Sequence, residues 1–565
     1  MRIGLLTEGG TPCATGDTGA WWQRLVRGLA PHDFDLYAVG GPPPPPAPPP
    51  PRAPGPAVPL PPHIRPVPAT GEGALPAGPP ERAARRAYGR RDRRRFAEGF
   101  HALATGLTAE TDPAGGPAAD QDPAHAFATG LGALADLARD SGGLPGALRS
   151  DDAVRLLETA CRAPGARRAA AAAGLGDHLA FADHLERALR PLSLDWYDET
   201  ALAAADLCHA TAGGPVALPG LLAKRFFGTP LLVTEYGVGL RAHYLDAGAA
   251  GRSTALRALL AALHGRLAGE TYRQAALLTP GNAHARRWQE KLGAPRDRVR
   301  TVHPGMPAER FAEVGEAEES GEPGTLVWIG RVEPAKDLVA LLHAFAELRA
   351  RQPDTRLRIV SVPADPGESD RGADHCAYLG QCAALAAQLF PDEAAGAHAV
   401  GENPVSFEEL GGPEAPTLED VYASAAVVVL SSTVEGFPAS LVEAMFCARA
   451  TVSTDVGAVV EIIGGTGLVV PPRNPRALAD ACLALLRDPE RRHRLGAAAR
   501  ARALELFTVE QNLAAFRGIY LELLSHAPAR HRAGSDVPFA HPAEAHLPGS
   551  WAPKAVAAGT GAPDA

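Results

Sequence analysis

Lysine is nearly missing from this chain. Of 55 Lys plus Arg residues, only Lys224, Lys291, Lys336 and Lys554 are lysine. Arginine does most of the cationic work, so each remaining lysine is a candidate for a place where a planar guanidinium does not fit. Cysteine is also sparse: Cys13, Cys161, Cys208, Cys376, Cys382, Cys447 and Cys482 are odd in number and scattered, with no CxxC pair. That excludes a disulfide framework, and the His375, Cys376, Cys382 cluster fits no common zinc spacing. No apolar run approaches the roughly 18 residues of a membrane span. Ile3-Gly4-Leu5-Leu6 is too short an apolar run for a signal peptide and reads as a first buried strand. A net charge of -9 argues against a general nucleic-acid or anionic-membrane binder. Together these absences predict a cytoplasmic protein.

The 565 residues, 46% apolar and 21% charged, suit a soluble globular chain of three to four units or two large ones. Residues 1–40 alternate strand and helix: a strand at 3–7, a helix near 20–29 and a strand at Phe34–Val39. Nineteen of the 39 positions in 42–80 are proline, which predicts a disordered, polyproline-like insertion. Eight arginines between Arg82 and Arg95 read as a solvated helix face, because no aromatics interleave them. Residues 101–195 are Ala-rich and patchily helical. Alternation resumes with strands at Asp206–His209, Leu231–Tyr236, Ala275–Leu278 and Val299–His303. Residues 312–324, acidic and aperiodic, read as a linker. A second alternating unit occupies 325–505, starting with a strand at 325–329 and a helix at 334–350. A helix at 506–526 is a candidate to cross back to the first unit (1–311), and 527–565 reads as a disordered tail. The pattern is α/β, two doubly wound Rossmann-like domains facing a cleft, with ligands expected beyond the carboxyl ends of the strands.

Two stretches carry chemistry. In Gly330-Arg331-Val332-Glu333-Pro334-Ala335-Lys336 a strand ends at Gly330, and Pro334 opens a helix that places Lys336 in its first turn. A cation there opposes the helix dipole by about 0.3–1 kcal/mol. With Arg331 beside it, the arrangement makes sense if an anion such as a diphosphate docks. In the second stretch, Glu435-Gly436-Phe437-Pro438 turns into a helix carrying Ser440, Leu441 and Glu443. Helix side chains lean toward the N-terminus, so Glu443 can reach back over the strand end. Two carboxylates and a helix N-terminus then suit a ligand with hydroxyls at one end and phosphates at the other.

Taken together, Gly-Arg-x4-Lys followed about 100 residues later by Glu-Gly-Phe-Pro-x4-Glu-Ala-Met resembles the C-terminal domain of GT-B glycosyltransferases of family four, as do Ser453–Gly457 and Glu461. Leu6–Gly9, Cys208–Thr211, Pro230–Gly237 and Pro304-Gly305-Met306 resemble the PelF-like branch of that family. The resemblance covers about 1–40 and 195–525. It implies a retaining, metal-independent hexosyltransferase of exopolysaccharide synthesis. The first unit would be the acceptor side and 325–505 the donor-binding domain. No cofactor is implied beyond a nucleoside-diphosphate sugar as co-substrate, UDP-glucose in the characterised branch. Partners would be that nucleotide sugar, a glycan acceptor and a membrane synthase. Arg331 and Lys336 would bind the diphosphate, Glu443 the ribose and Glu435 the sugar, with Gly330, Gly436, Phe437, Pro438, Ser440 and Leu441 lining the donor. Gly16 and Gly19 would approach the phosphates, and His209 would line the sugar or acceptor side. Here Gly16-Asp17-Thr18-Gly19 replaces the branch's Gly-Gly-Val-Ser, and Tyr236 stands where the branch has histidine.

Rival readings are a catalytically weak scaffold subunit of an exopolysaccharide synthase and a GT-B sugar epimerase. Gly237–Ala242 formally matches a dinucleotide fingerprint but lacks the acidic residue ending a second strand. Asp120-Gln121-Asp122 matches a metal-binding DxD but follows no visible strand.

Overall fold

The structure, a computed structural model, describes residues 1–8, 17–39, 61–70, 72, 88–110, 122–245, 251–317, 321–363, 369–391 and 403–527. Met1–Leu524 form one compact unit. Among the described residues no helix is long and apolar enough to cross a membrane.

The first sheet comprises β1 (Arg2–Glu8), β2 (Asp33–Val39), β3 (Ile64–Val67), β4 (Leu207–Ala210), β5 (Leu231–Glu235) and β6 (Leu277–Pro280), in the order β3-β2-β1-β4-β5-β6. The second comprises β7 (Thr325–Gly330), β8 (Arg356–Ser361), β9 (Val405–Glu409), β10 (Val427–Leu430), β11 (Ala450–Thr454) and β12 (Leu468–Val470), in the order β12-β11-β10-β7-β8-β9. All neighbouring strands pair parallel. Both sheets run outward from their first strand over three strands and then return beside it. Each therefore has a switch point, β1/β4 in the first and β7/β10 in the second, where ligands bind in such folds.

The central strands are buried along nearly their whole length, as expected when helices cover both faces. The helix Leu338–Arg351 buries the stripe Leu338, Leu341, Leu342, Phe345 and Leu348 against the second sheet, the spacing its sequence carries. Between β3 and β4 a block of helices, beginning with Arg90–Thr108 and Pro123–Ser141, builds its own core from Phe96, Phe100, Leu103, Phe127 and Leu134. The helix Thr254–Gln274 closes that core with Leu256, Leu259, Leu260, Leu263 and Leu267. The last helix, Val509–His526, lies on the first sheet: Phe516, Ile519, Tyr520 and Leu523 pack with Ile3, Leu5, Trp21, Trp22 and Leu25.

Several expectations need correction. The proline-rich stretch is not wholly without structure: Ile64–Val67 is an edge strand, with Ile64 in register with Phe34. An edge strand pairs on one side only, so Pro66 is tolerated, and Arg65 adds an ion pair to the buried Asp35 at 2.8 Å. The other residues of 42–80, except 61–70 and 72, lie outside the described residues, as does the tail from 528. Val299–His303 is no strand; Val299 makes one bridge to Leu278. The linker includes a short helix, Ala312–Glu316. Asp122, of the Asp120–Asp122 stretch already set aside as a metal motif, caps a helix, accepting from Ala124 N at 3.0 Å. Asp120 and Gln121 lie outside the described residues.

Candidate site at the switch point of the second sheet

The loops leaving β7 and β10 meet. Gly330 ends β7, and Arg331 follows as an exposed residue. Lys336 does not sit in the first turn of a helix. Pro334–Lys336 form a 3-10 turn, and Asp337, with φ 49°, caps the helix that starts at Leu338, accepting from Ala340 N at 3.3 Å. The left-handed Asp337 breaks the run of helical angles, and aspartate tolerates that region better than most residues. Lys336 is thereby turned out of the helix and onto Glu435, with which it forms a short ion pair. Its side chain is 17% exposed and that of Glu435 8%.

The pair is rigidly framed. Ser432 Oγ donates to Glu435 Oε1 at 2.8 Å, and Ser431 Oγ donates to the Lys336 carbonyl at 2.7 Å. Thr433 N donates to the Ala335 carbonyl at 2.8 Å. Thr454 Oγ1, at the end of β11, donates to the Ser432 carbonyl at 2.6 Å. Gly457, at φ 58°, passes so close that a Cβ there would lie 2.4 Å from the Glu435 carbonyl oxygen. Only glycine meets both conditions.

The helix Ala439–Phe446 begins after Pro438, which has no N–H to offer a ligand. Leu441 is buried in the core and its N–H already donates to the Pro438 carbonyl at 3.1 Å. Both residues shape the turn rather than donate to a donor molecule. Ser440 and Gly436 are half-buried in the turn. Phe437 packs edge-on against Phe507, with ring centres 6.0 Å apart. Glu443 is partly buried, and Tyr422, fully buried beneath it, donates from Oη to Glu443 Oε2 at 2.8 Å. Burial, and then the Glu443 carboxylate, push the Tyr422 phenol well up, so it stays a donor. Tyr422 carries no motif signal; only the fold places it there.

His209 is elsewhere. It was expected to line the sugar or acceptor side, but it is 0% exposed in β4. Its Nδ1 is 2.8 Å from Tyr520 Oη and its Nε2 2.7 Å from Thr234 Oγ1, which in turn meets Thr279 Oγ1 at 2.6 Å. Burial pushes the imidazole down to about 3. With both ring nitrogens engaged and no exposed surface, it is a satisfied core histidine. Gly16 lies outside the described residues, and Gly19 falls in the first turn of the helix Asp17–Gly28.

The first domain reaches the site through other residues. Arg241, on the helix Gly239–Leu245 after β5, donates from Nη2 to the Glu435 carbonyl at 2.8 Å. Burial lowers the affinity of its guanidinium for the proton, and Glu435 partly offsets this. Glu461 Oε2 accepts from Ala283 N, at the start of the helix Ala283–Lys291, at 2.6 Å. That is a favourable place for a carboxylate. His303 Nε2 is 3.8 Å from Glu461 Oε1. The Arg241 contact has no local sequence signal, since it joins residues 194 positions apart.

This arrangement sets a buried carboxylate, a cation on it, a further arginine and a second, tyrosine-held carboxylate around the switch point of one Rossmann-like sheet. Two such domains facing each other define the GT-B fold. A sucrose-phosphate synthase from Thermosynechococcus elongatus shares that fold, with TM-score 0.51 at 16% identity, over 93% of this chain and 99% of that one.

Residues 1–297 match the family described as Domain of unknown function (DUF3492), and the chain belongs to that family. Residues 323–488 match the family described as Glycosyl transferases group 1. Curated relatives include D-inositol 3-phosphate glycosyltransferases. One from a Nocardioides species is 32% identical over 240 residues, 40% of this chain and 50% of the relative. One from Frankia alni is 34% identical over 214 residues, 37% and 47% respectively. The chain thus spans about half the length of the curated relatives it matches.

Proposed function

We propose that the protein is a retaining, metal-independent glycosyltransferase that moves a sugar from a nucleoside-diphosphate sugar to a polysaccharide or other glycosyl acceptor in the cytoplasm. UDP-glucose is the donor suggested by the resemblance to the PelF-like branch. The observation that carries this reading is the Lys336–Glu435 pair beside Arg331 at the β7/β10 switch point, inside the segment matching group 1 glycosyl transferases. In the proposed reaction the two cations stabilise the charge growing on the departing diphosphate, where preorganised charge lowers a barrier most. Glu443, held by Tyr422, accepts from the ribose hydroxyls. Glu435 orients Lys336 and faces the donor sugar.

Calorimetric titration of UDP, UDP-glucose and GDP-mannose tests this. A UDP ligand should bind at micromolar affinity, and Lys336→Ala should weaken it about 10- to 100-fold, the loss of one or two charge-assisted hydrogen bonds. Absence of binding, or equal binding by the variant, would overturn the reading.

A further inference from the structure

Glu235, at the end of β5, is a buried carboxylate that accepts from Tyr272 Oη and from Gln289 Nε2 at 3.0 Å. Burial raises its carboxyl against the pull of those donors. It joins the helices Thr254–Gln274 and Ala283–Lys291, lies close against Gly213 in the loop after β4, and stands four residues before Gly239 opens the helix Gly239–Leu245. Two residues beyond Gly239, Arg241 reaches out of the first domain and holds the Glu435 carbonyl at 2.8 Å. Gly457 also passes close to that carbonyl. The Glu435 side chain in turn holds Lys336. A continuous series of contacts therefore runs from the core of the first domain to the cation of the second.

We propose that Arg241 is a positioning residue of the transfer reaction, with Glu235 as its anchor: the arm they form fixes Glu435, and through it Lys336, when the two domains face each other. The inference rests on the glycosyltransferase reading. Arg241 acts on a main-chain carbonyl and leaves the Lys336 and Arg331 side chains present, so its loss should weaken turnover more than nucleotide binding.

The test compares full-length wild type, Arg241→Ala and Arg241→Lys. UDP affinity is measured by calorimetry, kcat by nucleotide release from UDP-glucose, and backbone mobility by hydrogen exchange. Arg241→Ala should weaken UDP binding no more than about fivefold while kcat falls about 10- to 100-fold. Arg241→Lys, which keeps a charged donor, should recover part of that loss. Amides from Gly436 to Leu441 should exchange faster in Arg241→Ala. A kcat within twofold of wild type, a loss of UDP affinity as large as the loss of kcat, or a lysine variant no better than alanine would overturn the proposal. If wild type binds no nucleotide, the glycosyltransferase reading fails instead. Faster exchange at Gly436–Leu441 would then still uphold the arm, and unchanged exchange would refute it.

Discussion

His209 should make the first domain acid-labile. Its imidazole titrates near 6.5 in an unfolded chain and is pushed down to about 3 by burial in the fold. The unfolded state therefore takes up a proton in the window from 6.5 down to 3, and the folded state does not. Stability is fully present above 6.5 and is lost as pH falls. For a single site with these two values the loss relative to pH 8 is about 2 kcal/mol at pH 5 and about 3 kcal/mol at pH 4. Urea unfolding followed by tryptophan fluorescence can read this, because Trp21 lies in the same core with its ring centre 5.9 Å from that of His209. His209→Gln supplies a donor and an acceptor but no titration. Its stability should fall less steeply with acid, by those amounts. Glu235 acts in the opposite sense: its raised carboxyl costs stability as pH rises above its ordinary value. His264, pushed down to about 4, acts in the same sense as His209. Both residues are present in wild type and variant, so the difference between the two curves isolates His209. Parallel curves from pH 8 to pH 4 would refute the reasoning. They would return His209 to the list of groups open to solvent and substrate.

Two further substitutions test the framework. Asn512, buried on the helix Val509–His526, accepts from Trp21 Nε1 at 3.1 Å and donates to the His303 carbonyl at 2.7 Å and to Tyr236 Oη at 3.3 Å. Asn512→Leu strands these partners and should cost about 2–4 kcal/mol in urea unfolding, with earlier proteolysis after residue 508. Gly457→Ala combines a left-handed backbone with a Cβ 2.4 Å from the Glu435 carbonyl oxygen. It should cost about 2 kcal/mol in thermal or urea unfolding and weaken UDP binding at least tenfold by calorimetry.

Much of this molecule was readable from its residues, and the reasons are local. Alternating apolar strands and helices announce parallel sheets, because a strand covered on both faces must be apolar throughout. The stripe from Leu338 to Leu348 follows from the helical repeat. Gly330-Arg331 and Glu435-Gly436 stand at strand ends, so their place at a switch point follows once the strands pair. Lys336 stood out through the rarity of lysine. The offset of its helix was missed because Asp337 adopts a left-handed conformation, which aspartate enters without any flanking signal.

What only the tertiary structure decided depends on contacts between distant segments. His209 looked like a site residue because its neighbours in sequence resemble a family motif. It is a core residue because Tyr520, 311 positions away, returns on the last helix to take its Nδ1. The β3 strand exists because Phe34 and Asp35 offer an apolar neighbour and a charge to a segment whose prolines argue against any strand. Arg241 meets Glu435, and Glu461 meets Ala283, only where the two sheets face each other. Periodicity and strand-end chemistry are properties of neighbouring residues and survive in the sequence. Burial, partner choice and reach across a cleft belong to the packing of one domain on another, which no local pattern encodes.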